Sequence, residues 1–306
     1  MYKAVISDLD GTLIAKGHYI SPVTIDTIKK IMAKGIKFYI ASGRSYEQIG
    51  YVTEQLDIKI PVIAANGARI FDGDGKLIYE RGLNKEDSDA ILNLDYRNIA
   101  KKSHLNIFSG NEWIITKGTA QDVFDRITNQ VKVNFREVPE TELKNLDILK
   151  IFYIGDHEEL LKLEKEILKV TKGVNVIFVT DQCMEIMSKG ANKGLAAKFL
   201  LEKENVKLEE AIAFGDGEND FELLTMVGKG YAMGNAIDRL KNLLPSDFEY
   251  VGKNMEDGEA LKLQELFLKW IFLFVFCKEK KFLISPCKLL IKEIKIWEFF
   301  RLAVDN

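Results

Sequence analysis

The run YKAVIS at residues 2–7 is short, continuous and apolar, and it stops abruptly at Asp8, Leu9, Asp10, Gly11 and Thr12. A strand of this kind has both faces buried, as the inner strands of a parallel sheet do. Parallel neighbours need a crossover between them, and the following residues supply one. Residues 22–34 (PVTIDTIKKIMAK) predict a helix: Ser21 can cap it, Pro22 suits its first turn, and Ile25, Ile28, Ile31 and Met32 recur at helical spacing. Gly35 ends that helix and IKFYIAS (36–42) reads as a second strand, followed by a helix over 45–56 and a strand at 60–66. Strand, helix and strand joined by short links predict an α/β fold with a Rossmann-like parallel sheet.

The pattern changes after residue 67. ARIFDGDGKLIYERGL (68–83) holds Asp72-Gly73-Asp74-Gly75 between two strand-like runs and predicts a β-hairpin. From about 84 to 188, helical segments (85–102, 119–130, 157–171) mix with strands such as 148–154 and 174–179, which suggests a second α/β unit inserted into the first. The parallel pattern resumes with a helix at 192–204, a strand at 210–214, a helix at 219–227 and a strand at 229–232. The expected division is therefore a discontinuous core (1–83 and 189–268), an inserted cap (84–188) and an atypical extension (269–306). That extension carries eight Lys/Arg against four Asp/Glu. Its apolar run WIFLFVFC is far shorter than the ~20 residues a membrane helix needs. It reads as an extra helix packed on the body or on a neighbouring subunit, with a basic surface for anionic lipid as the alternative.

Composition excludes some classes. A net charge of −3 gives no general attraction to nucleic acid. Three cysteines (Cys183, Cys277, Cys287) without metal-type spacing, and no secretory signal before the first strand, point to a reduced, cytoplasmic setting. Three scattered histidines (His18, His104, His157) do not suggest a zinc site.

The chemistry is concentrated where strands end. Past the end of the first strand, a tight turn at Gly11, capped by Thr12, can bring Asp8 and Asp10 over the carboxyl edge of the sheet, where α/β proteins bind ligands. A second acidic group, Asp216, Glu218, Asn219 and Asp220, follows the strand-like AIAF at 211–214. Two acid-rich strand ends in one sheet repel each other, and Mg²⁺ would remove that repulsion, since oxygen ligands completed by water suit it better than zinc. Two further segments have the opposite character. Ser42 and the backbone N–H groups of Gly43 and Arg44 can hold an anionic oxygen. Lys193, in the first turn of a helix, is unfavourable there unless an anionic partner compensates.

In order, Asp-x-Asp-Gly-Thr (8–12), Ser-Gly-Arg (42–44), Asn-Lys-Gly (192–194) and Gly-Asp-Gly-x-Asn-Asp (215–220) resemble the four motifs of the haloacid dehalogenase-like hydrolase superfamily. The inserted unit, AANGARIFD (64–72) and YAMGNAID (231–238) look most like its Cof-type subfamily of small-molecule phosphatases, over roughly residues 1–268. The resemblance implies that Asp8 attacks phosphorus to form an aspartyl-phosphate and that Asp10 is the acid and base. It implies that Mg²⁺ is held by the Asp8 carboxylate, the Asp10 backbone carbonyl and Asp216, supported by Asn219 and Asp220. Ser42 and Lys193 would stabilise the phosphoryl oxygens. Thr12, Gly43, Arg44 and Asn66 are further candidates on the substrate side, Thr12 through the Asp8 loop it would orient, and Glu218 is expected to stand behind the metal ligands. The expected activity is hydrolysis of a small phosphorylated metabolite, such as a sugar phosphate or phosphorylated cofactor. The alternatives are a phosphomutase on the same scaffold and a non-catalytic phosphate-binding protein. Neither a nucleic-acid nor a membrane partner is expected, and a homodimer through the cap or the tail is open. Of the cap, His104, Asn106, Asn111, Glu112, Trp113 and Arg126 are candidates to face the cleft.

Overall fold

Strand ends in this chain gather at one edge of a sheet. The computed structural model describes residues 2–15, 17, 19–116 and 135–268. The described strands are β1 (Ala4–Asp8), β2 (Lys37–Ala41), β3 (Val62–Ala64), β4 (Arg69–Phe71), β5 (Leu77–Glu80), β6 (His104–Ser109), β7 (Glu112–Thr116), β8 (Phe135–Val138), β9 (Ile148–Ile154), β10 (Val174–Thr180), β11 (Cys183–Ser188), β12 (Ala211–Gly215) and β13 (Lys229–Ala232). They form a first sheet in the order β13-β12-β1-β2-β3-β4-β5 and a second in the order β10-β11-β9-β6-β7-β8. In the first sheet, β13 to β3 run parallel, and β4 runs antiparallel to both of its neighbours, β3 and β5.

All five residues of β1 are buried. Val5 joins the cluster of Ile28 and Ile31 from the helix Pro22–Ala33 and Leu263 from the helix Gly258–Phe267. Ala4 and Ile6, on the other face, join Leu200 of the helix Lys193–Lys203 and Leu223 of the helix Phe221–Met226. The first sheet is thus the middle layer of an α/β/α sandwich, and this is why its strands show no polar alternation. Ser21 caps the first helix as expected, its hydroxyl accepting from the Thr24 N–H at 3.0 Å.

The second sheet is antiparallel apart from the β7–β8 pair. One face packs Ile107, Ile151 and Tyr153 on Leu160, Leu163 and Ile167 of the helix His157–Val170. The other face carries Phe108, Trp113 and Phe152. The helix expected over 85–102 is broken into Lys85–Leu92 and Tyr96–Ile99. Asn93 and Asp95 lie at the break, and Asp95 accepts from the Asn98 amide at 2.5 Å, a local bond that competes with helix continuation. The strands β6, β7, β8 and β11 had no counterpart among the sequence expectations. The helix expected over 119–130, His18, Arg126 and the extension 269–306 lie outside the described residues. Among the described residues, no helix is long and apolar enough to cross a membrane.

Candidate active site

Asp8 is the last residue of β1, in register with Ala41 of β2, so Ser42 leaves the neighbouring strand beside it. On the other side β12 delivers Asp216 immediately past its last residue, Gly215. The chain turns sharply after β1, with the N–H groups of Leu13 and Ile14 donating to the carbonyls of Asp8 and Leu9. Gly11 makes that turn with φ +81°, and a Cβ there would lie 2.2 Å from Asp216 Oδ2. No other residue type fits both the conformation and the space. Thr12 is 2% exposed and its hydroxyl donates to Asp216 Oδ1 at 3.1 Å. Thr12, placed on the substrate side through the Asp8 loop it would orient, joins that turn to the acidic strand end. Asn235, in the YAMGNAID stretch, holds the same turn by donating to the Gly11 carbonyl at 2.8 Å.

The lysine is delivered by a helix start. Asn192 caps Lys193–Lys203 by accepting from the Leu195 N–H at 2.8 Å, which places Lys193 first in the helix, fully buried. Its ammonium donates to Asp8 Oδ1 and to Asp220 Oδ1, both at 2.6 Å. Asp220 Oδ2 accepts from the N–H groups of Asp216 and Gly217 at 3.0 and 2.9 Å. With both oxygens engaged, Asp220 fixes the Asp216 loop and the lysine together. One oxygen from each of Asp8, Asp216 and Asp220 lies within 4.8 Å of the others, a group able to hold a metal ion.

Three acids share one ammonium here, and the electrostatics reflect the imbalance. Burial first, then Asp220 and Asp216 against the pull of Lys193, push the Asp8 carboxyl well above its ordinary range. Asp216 is pushed up to about 7 by burial and by Asp220. Burial works against the charge of Lys193, yet Asp220 and Asp8 outweigh it and hold the ammonium above the ordinary lysine range. A buried all-oxygen cluster short of positive charge fits a hard divalent cation, which would hold Asp8 and Asp216 ionised.

Other expected site residues are placed less directly. Asp10 turns away from the cluster: its carboxylate, half exposed, is gripped by Arg44, whose Nε donates to Oδ2 at 2.7 Å while Nη2 pairs with Oδ1. Ser42 is 1% exposed and its Oγ accepts from the Arg44 N–H at 3.2 Å. Asn66, expected at the substrate, is 1% exposed with its amide occupied at both ends. Its Nδ2 donates to Glu185 and its Oδ1 accepts from Asn219 Nδ2 at 2.8 Å. Asn219, expected near the metal, spends that amide hydrogen on Asn66. Glu218 accepts from the Phe178 N–H at 3.3 Å and pairs with Arg239 at 3.1 Å, so it stands outside the acidic cluster.

Of the cap candidates, Asn106 is engaged by Trp113 Nε1 at 3.0 Å, Glu112 by Arg136 at 3.0 Å, and Asn111 by Arg69 of β4. Two charged residues escaped the sequence reading, Lys150 and Glu185. Both are buried, and the signal available was a charge inside an apolar strand, ILKIFYI and CMEIMS.

A family model described as haloacid dehalogenase-like hydrolase matches residues 5–260. The chain belongs to that family. A relative from Buchnera aphidicola (subspecies Baizongia pistaciae), carrying a provisional phosphatase name, is 33% identical over 88% of this chain and 100% of its own length. The HMP-PP phosphatase of Serratia proteamaculans is 30% identical over 86% of this chain and 95% of its own. Among solved structures, a haloacid dehalogenase-like hydrolase from B. subtilis superposes with a TM-score of 0.74 at 25% identity, covering 86% of this chain and 99% of that one. A subclass IIB sugar phosphatase matches equally well, with a TM-score of 0.74 at 25% identity over 86% of this chain and 98% of its own. The chain is therefore a phosphatase of this family, with the family's parallel core sheet and an inserted cap.

Proposed function

We propose that this phosphatase hydrolyses a small phosphorylated metabolite through an aspartyl-phosphate on Asp8, with Mg²⁺ in the site. The observation that carries the reading is the contact of the Asp8 carboxylate with Lys193 at 2.6 Å, inside a cluster that also holds Asp216 and Asp220. Asp8 and Asp216 are the residues that would hold Mg²⁺, with the Asp10 carbonyl at the same turn. When bound, the ion would neutralise charge on the phosphoryl group. Asp8 attacks phosphorus, and the bond to the leaving oxygen breaks as that oxygen takes a proton from Asp10. Asp10 then removes a proton from water, which attacks the aspartyl-phosphate, releasing inorganic phosphate and restoring Asp8. For this Asp10 has to leave Arg44, and its exposed position beside the turn allows that movement. Lys193 and Ser42 stabilise the phosphoryl oxygens. Residues 84–188 act as the cap that excludes bulk water and selects the leaving group. The names of the relatives point to two substrate classes for this chain, HMP-PP-like diphosphates and sugar phosphates.

A panel of phosphorylated metabolites, assayed for phosphate release with Mg²⁺ and with EDTA, tests the reading. Wild type should release phosphate only with the metal, and Asp8→Asn should release none. Conversion of glucose 1-phosphate to the 6-phosphate without release would indicate a mutase. Silence of both proteins across the panel would leave a binding protein.

A further inference from the structure

Beyond the residues that touch phosphate, the second sheet sends two buried charges into the core. Lys150 on β9 is 1% exposed and Glu185 on β11 is 7% exposed. In the β9–β11 ladder Lys150 stands opposite Met187, so Glu185 is its diagonal neighbour on the same face, and their charged ends meet at 2.5 Å. The ammonium rests over Phe108 and Phe152, at 5.0 and 5.5 Å from the ring centres. Each partner also reaches a core loop. Lys150 donates to the Gly43 carbonyl at 3.0 Å, and Glu185 Oε2 accepts from Asn66 Nδ2.

A buried ion pair is weak evidence for stability, because desolvation costs several kcal/mol per ion and offsets the attraction. What this pair has is an address. Its outer hydrogen bonds are met only when the second sheet is seated on the loop after β2 and the turn after β3. That turn is the meeting point of the site. Ala65, Asn66 and Gly67 are all left-handed, at φ 49°, 54° and 95°. The Asn66 N–H donates to the Ser42 carbonyl at 2.9 Å and the Ala65 N–H to the Arg44 carbonyl at 2.8 Å. A Cβ on Gly67 would lie 2.3 Å from the Asn192 carbonyl, so the turn also abuts the start of the lysine helix. Through its side chain, Asn66 holds Asn219 in the loop of Asp216 and Asp220.

The geometry points to Lys150 and Glu185 as positioning residues that tie the seating of the cap to the placement of Ser42, Lys193 and Asn219. The inference rests on the phosphatase reading only for its kinetic test. Strain at three consecutive left-handed positions, two of them not glycine, is held by contacts on every side, and the cap provides one of them. Without it the turn relaxes and the core loops lose register with the phosphoryl group.

The test uses the full chain with p-nitrophenyl phosphate, comparing wild type, Lys150→Met, Glu185→Gln, the double variant and Asp8→Asn. The double variant leaves no uncompensated buried charge, so it folds even where a single variant does not. Misplacement of the loops should lower kcat by about 10- to 100-fold with KM little changed, because a displacement near 1 Å is worth that much. The double variant should be no slower than the slower single variant, as expected of residues acting as one unit. Hydrogen exchange at 42–44 and 65–67 should quicken in the double variant while β10 is unaffected. Wild-type kcat in a folded double variant with unchanged exchange overturns the inference. A raised KM at unchanged kcat also overturns it, making Lys150 a substrate contact instead. If wild type releases no phosphate from this probe while Asp8→Asn behaves identically, the phosphatase reading fails, and exchange alone judges the positioning role.

Discussion

Gly11 shows how much one residue can be asked to do. It has to adopt φ +81° while Asp216 Oδ2 lies 2.2 Å from where a Cβ would be. In Gly11→Ala the left-handed strain, of order 1 kcal/mol, is the smaller effect. The larger one is displacement of Asp216, and kcat should fall by about 100-fold or more, read in an assay at saturating Mg²⁺. Lys193 is the mirror case, a single cation serving two acids. Lys193→Met leaves Asp8 and Asp220 facing each other without it. Loss of one partner from a buried charge group costs about 3–5 kcal/mol, so the urea midpoint should drop in metal-free buffer. Millimolar Mg²⁺ should recover part of that loss without restoring turnover. Full recovery of activity would mean that Lys193 is structural only.

At the scale of elements, β1 is joined to the helix Gly258–Phe267 by a polar contact inside the core. Ser7 Oγ lies 2.7 Å from both the Asp8 carbonyl and Glu259 Oε2. One hydroxyl carries one hydrogen, so a neutral Glu259 donating to Ser7, which in turn donates to the Asp8 carbonyl, satisfies both contacts. Burial holds Glu259 up to about 8, from an ordinary 4.5, and its Oε1 has no partner. Between those two values the unfolded chain has released a proton that the folded chain keeps. Stability should therefore fall as pH rises from about 4.5 to about 8. Glu259→Gln mimics the neutral acid and should flatten that slope. The expected gain is about 3 kcal/mol near pH 7 and little near pH 4, read from urea unfolding at the two pH values. An unchanged slope would show Glu259 ionised in the fold. The broken helix at 93–95 and the unanticipated strands β6, β7, β8 and β11 belong to this scale too. Their sequences alternate weakly, and β6 carries Asn106, whose Oδ1 accepts from Trp113 across the ladder while its Nδ2 donates to the His104 carbonyl.

For the whole molecule, the acidic cluster exists only in the folded chain, since Asp8 and Asp220 are joined by Lys193 across most of the sequence. Mg²⁺ should raise the Tm of wild type, and the rise should vanish in Asp216→Ala. Because Asp216 without metal is held up to about 7, binding of Mg²⁺ should release a proton below that pH. Apparent affinity should then climb by about ten-fold per pH unit or more below that point, because Asp8 is pushed up as well, read by calorimetry. The strand ends and their order were legible in the sequence. Apolar runs buried on both faces have one environment open to them, the middle of a parallel sheet, and a polar residue that ends such a run must emerge at its carboxyl edge. Local pattern therefore placed Asp8, Ser42 and Asp216 at one sheet edge, and the resemblance carried by Asn192-Lys193-Gly194 implied that Lys193 joins them. It did not determine what each side chain touches once there. Asn66 turned inward to Asn219 and the cap, Asp10 outward to Arg44, and Thr12 onto Asp216. Lys150 and Glu185, indistinguishable from misplaced charges in two apolar strands, became partners of core loops. Those outcomes depend on hydrogen bonds and ion pairs between residues far apart in the chain, whose distances and directions only the packed tertiary structure sets.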